Sequence, residues 1–162
     1  MEEPMKILDL DKAFSDNINS VKYTDSKKSW KVSNSITIDW KNVLPKPPEN
    51  NSEETRKELE YLQSITKSLT ARDKNLIDLV DNEPLDLYND VLREYNLQMP
   101  NAAFDKVWNI TRPIIMNLKY QYNRPRPVQI AETLGFKVNV VETKTHQTPA
   151  YPSGHTTYAA MA

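Results

Sequence analysis

The chain has 162 residues, a formal net charge of −1 at pH 7 and no cysteine, which excludes disulfides, thiolate metal sites and cysteine nucleophiles. A charge this close to zero gives no overall field that selects nucleic acid or an anionic membrane. The apolar share of 38% lies below the roughly 45–50% of globular domains, so we expect part of the chain to be loosely packed. Only Gly135 and Gly154 are glycines, too few for a glycine-rich phosphate loop.

Residues 1–50 are predicted to form an irregular N-terminal arm. Their acidic start lacks the basic and apolar regions of a secretory signal. The chain has no run of ~18 apolar residues that would span a membrane, so we expect a soluble protein, cytoplasmic rather than secreted. Residues 30–40 alternate weakly between apolar and polar side chains, which favours a short extended segment or β-hairpin. The prolines of residues 45–48 then predict a linker.

Residues 51–162 follow a helical pattern, so the fold class expected is all-α. Asn51 with Glu54, and Thr70 with Asp73, have the spacing of capping boxes at two helix starts. Apolar residues then recur every three or four positions, and Pro84 suits the first turn of a further helix.

A longer amphipathic helix is predicted to begin near Asn101, and Pro113 should kink or split it because proline removes a backbone donor. A short helical piece should then end at Gly135 in a left-handed conformation. A brief extended run over residues 138–141 and a polar loop over 142–151 follow. Residues 156–162 open an apolar helix with no stop signal, which predicts that the chain is a fragment.

Two groups of residues carry candidate chemistry. The first is Lys119 followed by Arg126-Pro127, and the second is Pro152-Ser153-Gly154-His155. Lysine and arginine suit a tetrahedral oxyanion because they provide a point charge and a planar fork of donors.

The second group predicts a turn that runs into a helix, whose first amides at Gly154 and His155 are unpaired donors. Gly154 lets an anion approach the backbone, and Ser153 adds a hydroxyl. His155 can protonate a departing oxygen, because the usual pKa of histidine, roughly 6.5, allows both protonation states near neutrality.

Together these motifs resemble the first two of the three signature motifs of the vanadium haloperoxidase/type 2 phosphatidic acid phosphatase superfamily. The resemblance covers residues 51–162 and is closest to the soluble haloperoxidase-like branch, which implies part of that superfamily's helical bundle. It implies that Lys119, Arg126, Ser153 and Gly154 bind phosphate or vanadate and that His155 is the general acid. The family's third motif, which carries an arginine, the nucleophilic histidine and an aspartate, has no match in these 162 residues.

Hydrolysis of phosphate monoesters through a phosphohistidine is therefore the expected activity of a longer chain, and these 162 residues alone are expected to be inactive. No cofactor is expected for a phosphatase, and no metal site is expected. The alternatives are a haloperoxidase that uses vanadate and a non-catalytic structural or binding protein that retains the fold. Exposed apolar surface, where further helices would dock, predicts possible homo-oligomers.

Three features have competing interpretations. His146 is more simply a loop residue than the missing nucleophile, and Arg124 lacks the spacing from Lys119 that Arg126 has, although Arg124 could add positive potential or pair with an acidic residue. Tyr120, Tyr122 and Tyr151 suit packing better than catalysis. The local excess of basic residues between 112 and 144 could bind nucleic acid, but the motif spacing favours a small phosphorylated substrate or oxyanion and no nucleic acid.

Overall fold

The computed structural model describes residues 39–161, without the side chains of Trp40 and Lys41. Seven α-helices are found in this part of the chain: α1 Trp40–Val43, α2 Glu53–Thr66, α3 Ala71–Asn82, α4 Pro84–Glu94, α5 Asn101–Tyr122, α6 Pro127–Ala131 and α7 Gly154–Ala159. A 3₁₀ helix covers Lys144–Gln147. No strand occurs among the described residues, so the all-α prediction is confirmed for them.

The predicted extended segment over residues 30–40 lies almost entirely outside the described residues. At its end, Trp40 begins α1 instead of continuing an extended backbone. None of the helices between residues 39 and 161 combines the length and the apolar character needed to cross a membrane.

The start of α2 differs from the sequence prediction. The N-cap is Ser52, whose extended backbone lets its Oγ accept the Thr55 backbone N–H at 3.2 Å. The predicted cap at Asn51 was therefore one residue too early. Asn51 and Ser52 are adjacent polar residues that could each cap the helix. Ser52 is the cap because the Thr55 hydroxyl donates to the Glu49 carbonyl at 2.8 Å and fixes the turn.

The start of α3 follows the prediction. The Thr70 backbone N–H donates to Asp73 Oδ2 at 2.8 Å, and the Asp73 N–H donates to Thr70 Oγ1 at 3.2 Å. The Thr70 hydroxyl also donates to Asp73 Oδ2 at 2.7 Å, and this bond, together with the one from the Thr70 backbone N–H, stabilises the carboxylate and lowers the pKa of Asp73 below its usual value. Pro84 occupies the first turn of α4, as predicted.

Helix α5 is a single helix of 22 residues that passes through Pro113. The prediction that Pro113 could split this helix is therefore wrong. Ile114, Ile115 and Met116 follow the proline directly and are all buried, and this packing holds the helical path across the missing backbone hydrogen bond.

The core beside the site is built from α2, α6 and the turn that follows α6. Leu59, Ile130, Ala131 and Leu134 are buried together, with Phe136 and Val138 packed against them. Helix α6 ends at Ala131, and the following turn closes at Gly135 with φ +82°, the predicted left-handed conformation.

The segment after Gly135 forms no strand within the described residues. Its backbone N–H groups at Lys137 and Asn139 instead donate to the side chains of Gln63 and Thr66 on α2. This segment leads the chain from the core to the 3₁₀ helix that borders the candidate site.

Candidate functional site

A cavity of about 510 Å³ is lined by residues from both predicted motifs. It lies between the end of α3, one face of α5, the segment 145–150 and the start of α7. Its lining residues are Asp81, Asn82, Pro84, Trp108, Arg112, Ile115, Met116, Lys119, Arg126, Thr145, Thr148, Ala150, Ser153, Gly154, His155 and Tyr158. All five sequence-predicted site residues are therefore brought to one cavity.

Helix α5 supplies one wall of this cavity by its periodicity. Trp108, Arg112, Ile115 and Lys119 are separated by four, three and four residues, a spacing that puts their side chains on the same face of a helix. The helix therefore aligns an indole, a guanidinium, an aliphatic group and an ammonium along one side of the cavity.

Lys119 is buried, with only 5% of the residue exposed. Its Nζ donates to the Pro149 carbonyl at 2.6 Å and lies 3.4 Å from the Ala150 carbonyl. Burial disfavours the charged form, and the nearby Arg126 guanidinium repels it, so the pKa of Lys119 falls to about 7. Desolvation and the Arg126 charge therefore destabilise an ammonium in this position, and a bound anion would stabilise it.

Arg126 reaches the same loop from the start of α6. Its Nε donates to the Thr148 carbonyl at 2.7 Å, and its Nη2 donates to the Thr145 carbonyl at 3.0 Å. The segment 145–150 thus holds both cations through backbone carbonyls. These contacts fix the two positive groups beside each other at the cavity wall.

The second motif forms the start of α7, as its sequence predicts. Ser153 is the N-cap, and its Oγ accepts the Thr156 backbone N–H at 3.2 Å. The amides of Gly154 and His155 lie in the first turn, where a helix provides no carbonyl partner. A Cβ atom at Gly154 would meet nothing within 4 Å, so the space above this glycine is open.

His155 has an acidic neighbour that the sequence reasoning missed. Its Nε2 lies 3.7 Å from Asp81 Oδ1, an ion-pair distance longer than a hydrogen bond. The Asp81 side chain is only 4% exposed, whereas that of His155 is 43% exposed. Asp81 is in turn held by the Lys144 backbone N–H at 2.9 Å and by the Thr145 hydroxyl.

A local signal for Asp81 does exist in the sequence. It lies in the last turn of α3, where the carbonyl ends of the helix disfavour a negative charge. An acidic residue in that position suggests a compensating partner elsewhere in the fold. Nothing local identifies this partner as His155, which is contributed by the distant helix α7.

Arg124 and His146 lie away from the cavity wall. Arg124 Nη2 donates to Glu58 Oε2 at 2.7 Å, the pairing with an acidic residue that the sequence left open. His146 belongs to the 3₁₀ helix, where its Nδ1 contacts the Thr143 carbonyl. Neither residue lines the cavity that holds Lys119 and His155.

Tyr122 and Tyr151 connect the motif segments to the arm. Their rings pack edge to face with centroids 5.3 Å apart. The Tyr122 hydroxyl donates to the Leu44 carbonyl at 3.3 Å, and the Tyr151 hydroxyl donates to the Pro45 carbonyl at 2.8 Å. These tyrosines therefore have packing roles beside the site.

No cluster of three or more metal-ligating His, Asp or Glu residues is found between residues 39 and 161. No protein-family model, curated protein or solved structure matches the chain. The arrangement of charged groups around the cavity is therefore the basis on which a function is proposed.

Proposed function

We propose that this chain forms the phosphate-binding and proton-donating part of a phosphomonoesterase site. The observation that supports this most strongly is that Lys119, Arg126 and the Ser153–His155 turn border a single cavity. Two cations, a hydroxyl and helix amides beside a histidine are the groups that a phosphate monoester needs.

Lys119 and Arg126 neutralise the non-bridging oxygens of the phosphate. Their charge-assisted hydrogen bonds strengthen as charge develops in the transition state. Because Lys119 has a pKa of about 7, a bound dianion favours its protonated form and draws a proton onto the site. The Ser153 hydroxyl and the Gly154 amide bind the phosphate from the side of α7, and with Lys119 and Arg126 they form the phosphate-binding cradle.

His155 protonates the leaving oxygen. Asp81 lies beside Nε2, and we therefore assign proton donation to Nδ1. The Asp81 carboxylate orients the ring and stabilises the imidazolium before the proton is transferred. As the bond between phosphorus and the leaving oxygen breaks, the proton moves from Nδ1 to that oxygen, and a neutral alcohol departs.

The proposal requires an in-line nucleophile from outside these 162 residues. The resemblance implies a histidine whose ring nitrogen bonds to phosphorus and is later released by water. His146 does not serve in this role, because it lies off the cavity lining. The carboxylate of Asp81 is already engaged by Thr145 and Lys144. The 162-residue chain is thus expected to bind phosphate without turning over an ester.

Calorimetric titration with inorganic phosphate tests the binding half of the proposal. Removing a charged hydrogen-bond partner costs about 1.5–3 kcal/mol, so Lys119→Met and Arg126→Met should each weaken binding by roughly 10- to 100-fold. Lys106→Met is the matched control, because Lys106 is exposed on the same helix and does not line the cavity. Equal affinities for all four proteins would overturn the assignment of the phosphate site.

Hydrolysis of 4-nitrophenyl phosphate by a longer chain that supplies the proposed nucleophile tests the catalytic half. Activity should be lost in His155→Ala, and binding without turnover in that longer protein would favour the non-catalytic alternative. Vanadate would be held by Lys119, Arg126 and Ser153, since it has the charge and shape of phosphate, and when bound it supplies the activation of peroxide for halide oxidation. Vanadate-dependent bromide oxidation without ester hydrolysis would replace the phosphatase with a haloperoxidase.

A further inference from the structure

The cavity continues beyond the phosphate-binding residues along a wall of apolar and aromatic side chains. Ile115 and Met116 precede Lys119 on α5 by about one helical turn, a rise of about 4.5–6 Å. Trp108 lies on the same helix, further from Lys119 and Arg126, with Arg112 one turn away from it. Tyr158 faces this wall from α7, one turn after His155.

Packing fixes the orientation of these aromatic rings. Tyr158 meets Trp108 edge to face, with centroids 4.9 Å apart and an interplanar angle of 89°. Its other neighbour is Phe104, at 4.6 Å and 74°. Phe104 is buried, so the Tyr158 ring is anchored in the core while Tyr158 and Trp108 line the cavity. Preorganised rings of this kind bind a further ring at little entropic cost.

The size of the cavity leaves room for more than a phosphate group. Its volume of about 510 Å³ falls within the range of roughly 300–1,000 Å³ that small-molecule sites occupy. A phosphate placed between Lys119 and Ser153, with its ester oxygen beside His155, leaves the rest of the cavity to the group attached to that oxygen. Such a group would contact Ile115, Met116 and the aromatic pair formed by Trp108 and Tyr158.

We propose that the leaving group of the substrate is aromatic, so that the site takes an aryl phosphate whose ring lies against Tyr158 and Trp108. This inference rests on the phosphomonoesterase function proposed above. A sugar leaving group would bring several hydroxyls against Ile115, Met116 and the two rings, where they would lose hydrogen bonds to water and Arg112 is the one charged donor on this face of α5 beside them. An aryl ring instead gains edge-to-face or offset contacts with the aromatic pair.

Binding of non-hydrolysable phosphonates to the 162-residue chain tests this inference without requiring turnover. Phenylphosphonate should bind about 5- to 20-fold more tightly than methylphosphonate, since both present the same anion and only one presents a ring. Cyclohexylphosphonate serves as a ring of similar size without aromatic character. It should bind more weakly than the phenyl compound.

Variants of Trp108 and Tyr158 test whether these rings cause the tighter binding of phenylphosphonate. Trp108→Leu keeps an apolar side chain at this half-buried position and should remove most of the phenyl advantage, while methylphosphonate binding stays unchanged. Tyr61→Ala is the matched control, because this ring is 66% exposed on α2 and lies outside the cavity. A thermal melt of each variant identifies any that fails to fold, and Tyr158→Leu then provides the same comparison from α7.

The possible results separate this inference from the proposed function. Equal binding of phenyl-, cyclohexyl- and methylphosphonate would overturn the aryl assignment and leave the phosphate site standing. Equal binding of the phenyl and cyclohexyl compounds, both tighter than methyl, would overturn the aromatic requirement and assign a merely apolar leaving group. Failure of all three phosphonates to bind would overturn the phosphate site itself.

Discussion

Replacing Lys119 by methionine is expected to change how the stability of the protein responds to pH. Lys119 is 5% exposed, and its pKa falls from 10.5 in the unfolded chain to about 7 in the fold. Between these two values the unfolded chain holds a proton that the folded protein has released. The free energy of unfolding should therefore rise as pH increases from 7, because the fold no longer has to bury a charged ammonium.

The size of this effect follows from the pKa difference. One pKa unit corresponds to about 1.4 kcal/mol, so deprotonation of Lys119 should raise the free energy of unfolding by roughly 2–3 kcal/mol between pH 7 and pH 9. Burial raises the pKa values of Tyr151 and Tyr158 above the usual 10.0, and stability from these groups is lost only as pH rises beyond 10. Among the described groups whose pKa is shifted, Lys119 is therefore the one that changes charge between pH 7 and 9. Below pH 7 the cost of burying the charge is fully present.

Urea unfolding at pH 7, 8 and 9 measures this contribution. The unsubstituted protein should gain stability across the series, whereas Lys119→Met should be more stable at pH 7 and nearly independent of pH. Lys106→Met, which removes an exposed lysine from the same helix, should keep the original slope. If Lys119→Met retained that slope, Lys119 would not be the buried ammonium inferred from the structure.

Three further predictions concern the phosphate-binding cradle. Sulfate, a dianion throughout this pH range, should bind roughly tenfold more weakly for each pH unit above 7 as Lys119 loses its proton. Calorimetry on Lys119→Met should show weak sulfate binding that does not change with pH. If the affinity of this variant still fell with pH, the titrating group would not be Lys119. Gly154→Ala should stabilise the fold by about 0.4–1 kcal/mol in thermal melts, because the added Cβ meets no neighbour and alanine restricts the unfolded chain. The same variant should weaken phosphate binding by placing a methyl group beside the anion, and unchanged affinity would exclude close approach of the anion. Asp81→Asn, in a chain extended by the proposed nucleophile, should lower kcat more for alkyl phosphates than for 4-nitrophenyl phosphate, since poor leaving groups depend on His155 as the acid. Equal losses for both esters would show that Asp81 has only a structural role.

Local interactions were the part of this protein that the sequence could predict. The Thr70–Asp73 capping box, the proline at the start of α4 and the left-handed Gly135 each depend on contacts within a few residues. The candidate anion-binding residues were also identified from their spacing along the chain. Even locally, the choice between Asn51 and Ser52 as a helix cap depended on a hydrogen bond to Glu49 that spacing alone does not specify.

Relationships between distant segments required the tertiary structure. Arg124 and Arg126 are similar residues two positions apart, yet one pairs with Glu58 on α2 and the other turns to the cavity. Asp81 and His155 meet only because α3 and α7 border the same cavity. The sequence by itself therefore predicted most of the helices and the candidate residues proposed to hold an oxyanion. The packing of α3, α5 and α7 decided that Lys119 is buried, that His155 has a carboxylate beside it, and that the cavity continues along an aromatic wall, because desolvation and charge pairing depend on neighbours distant in the chain.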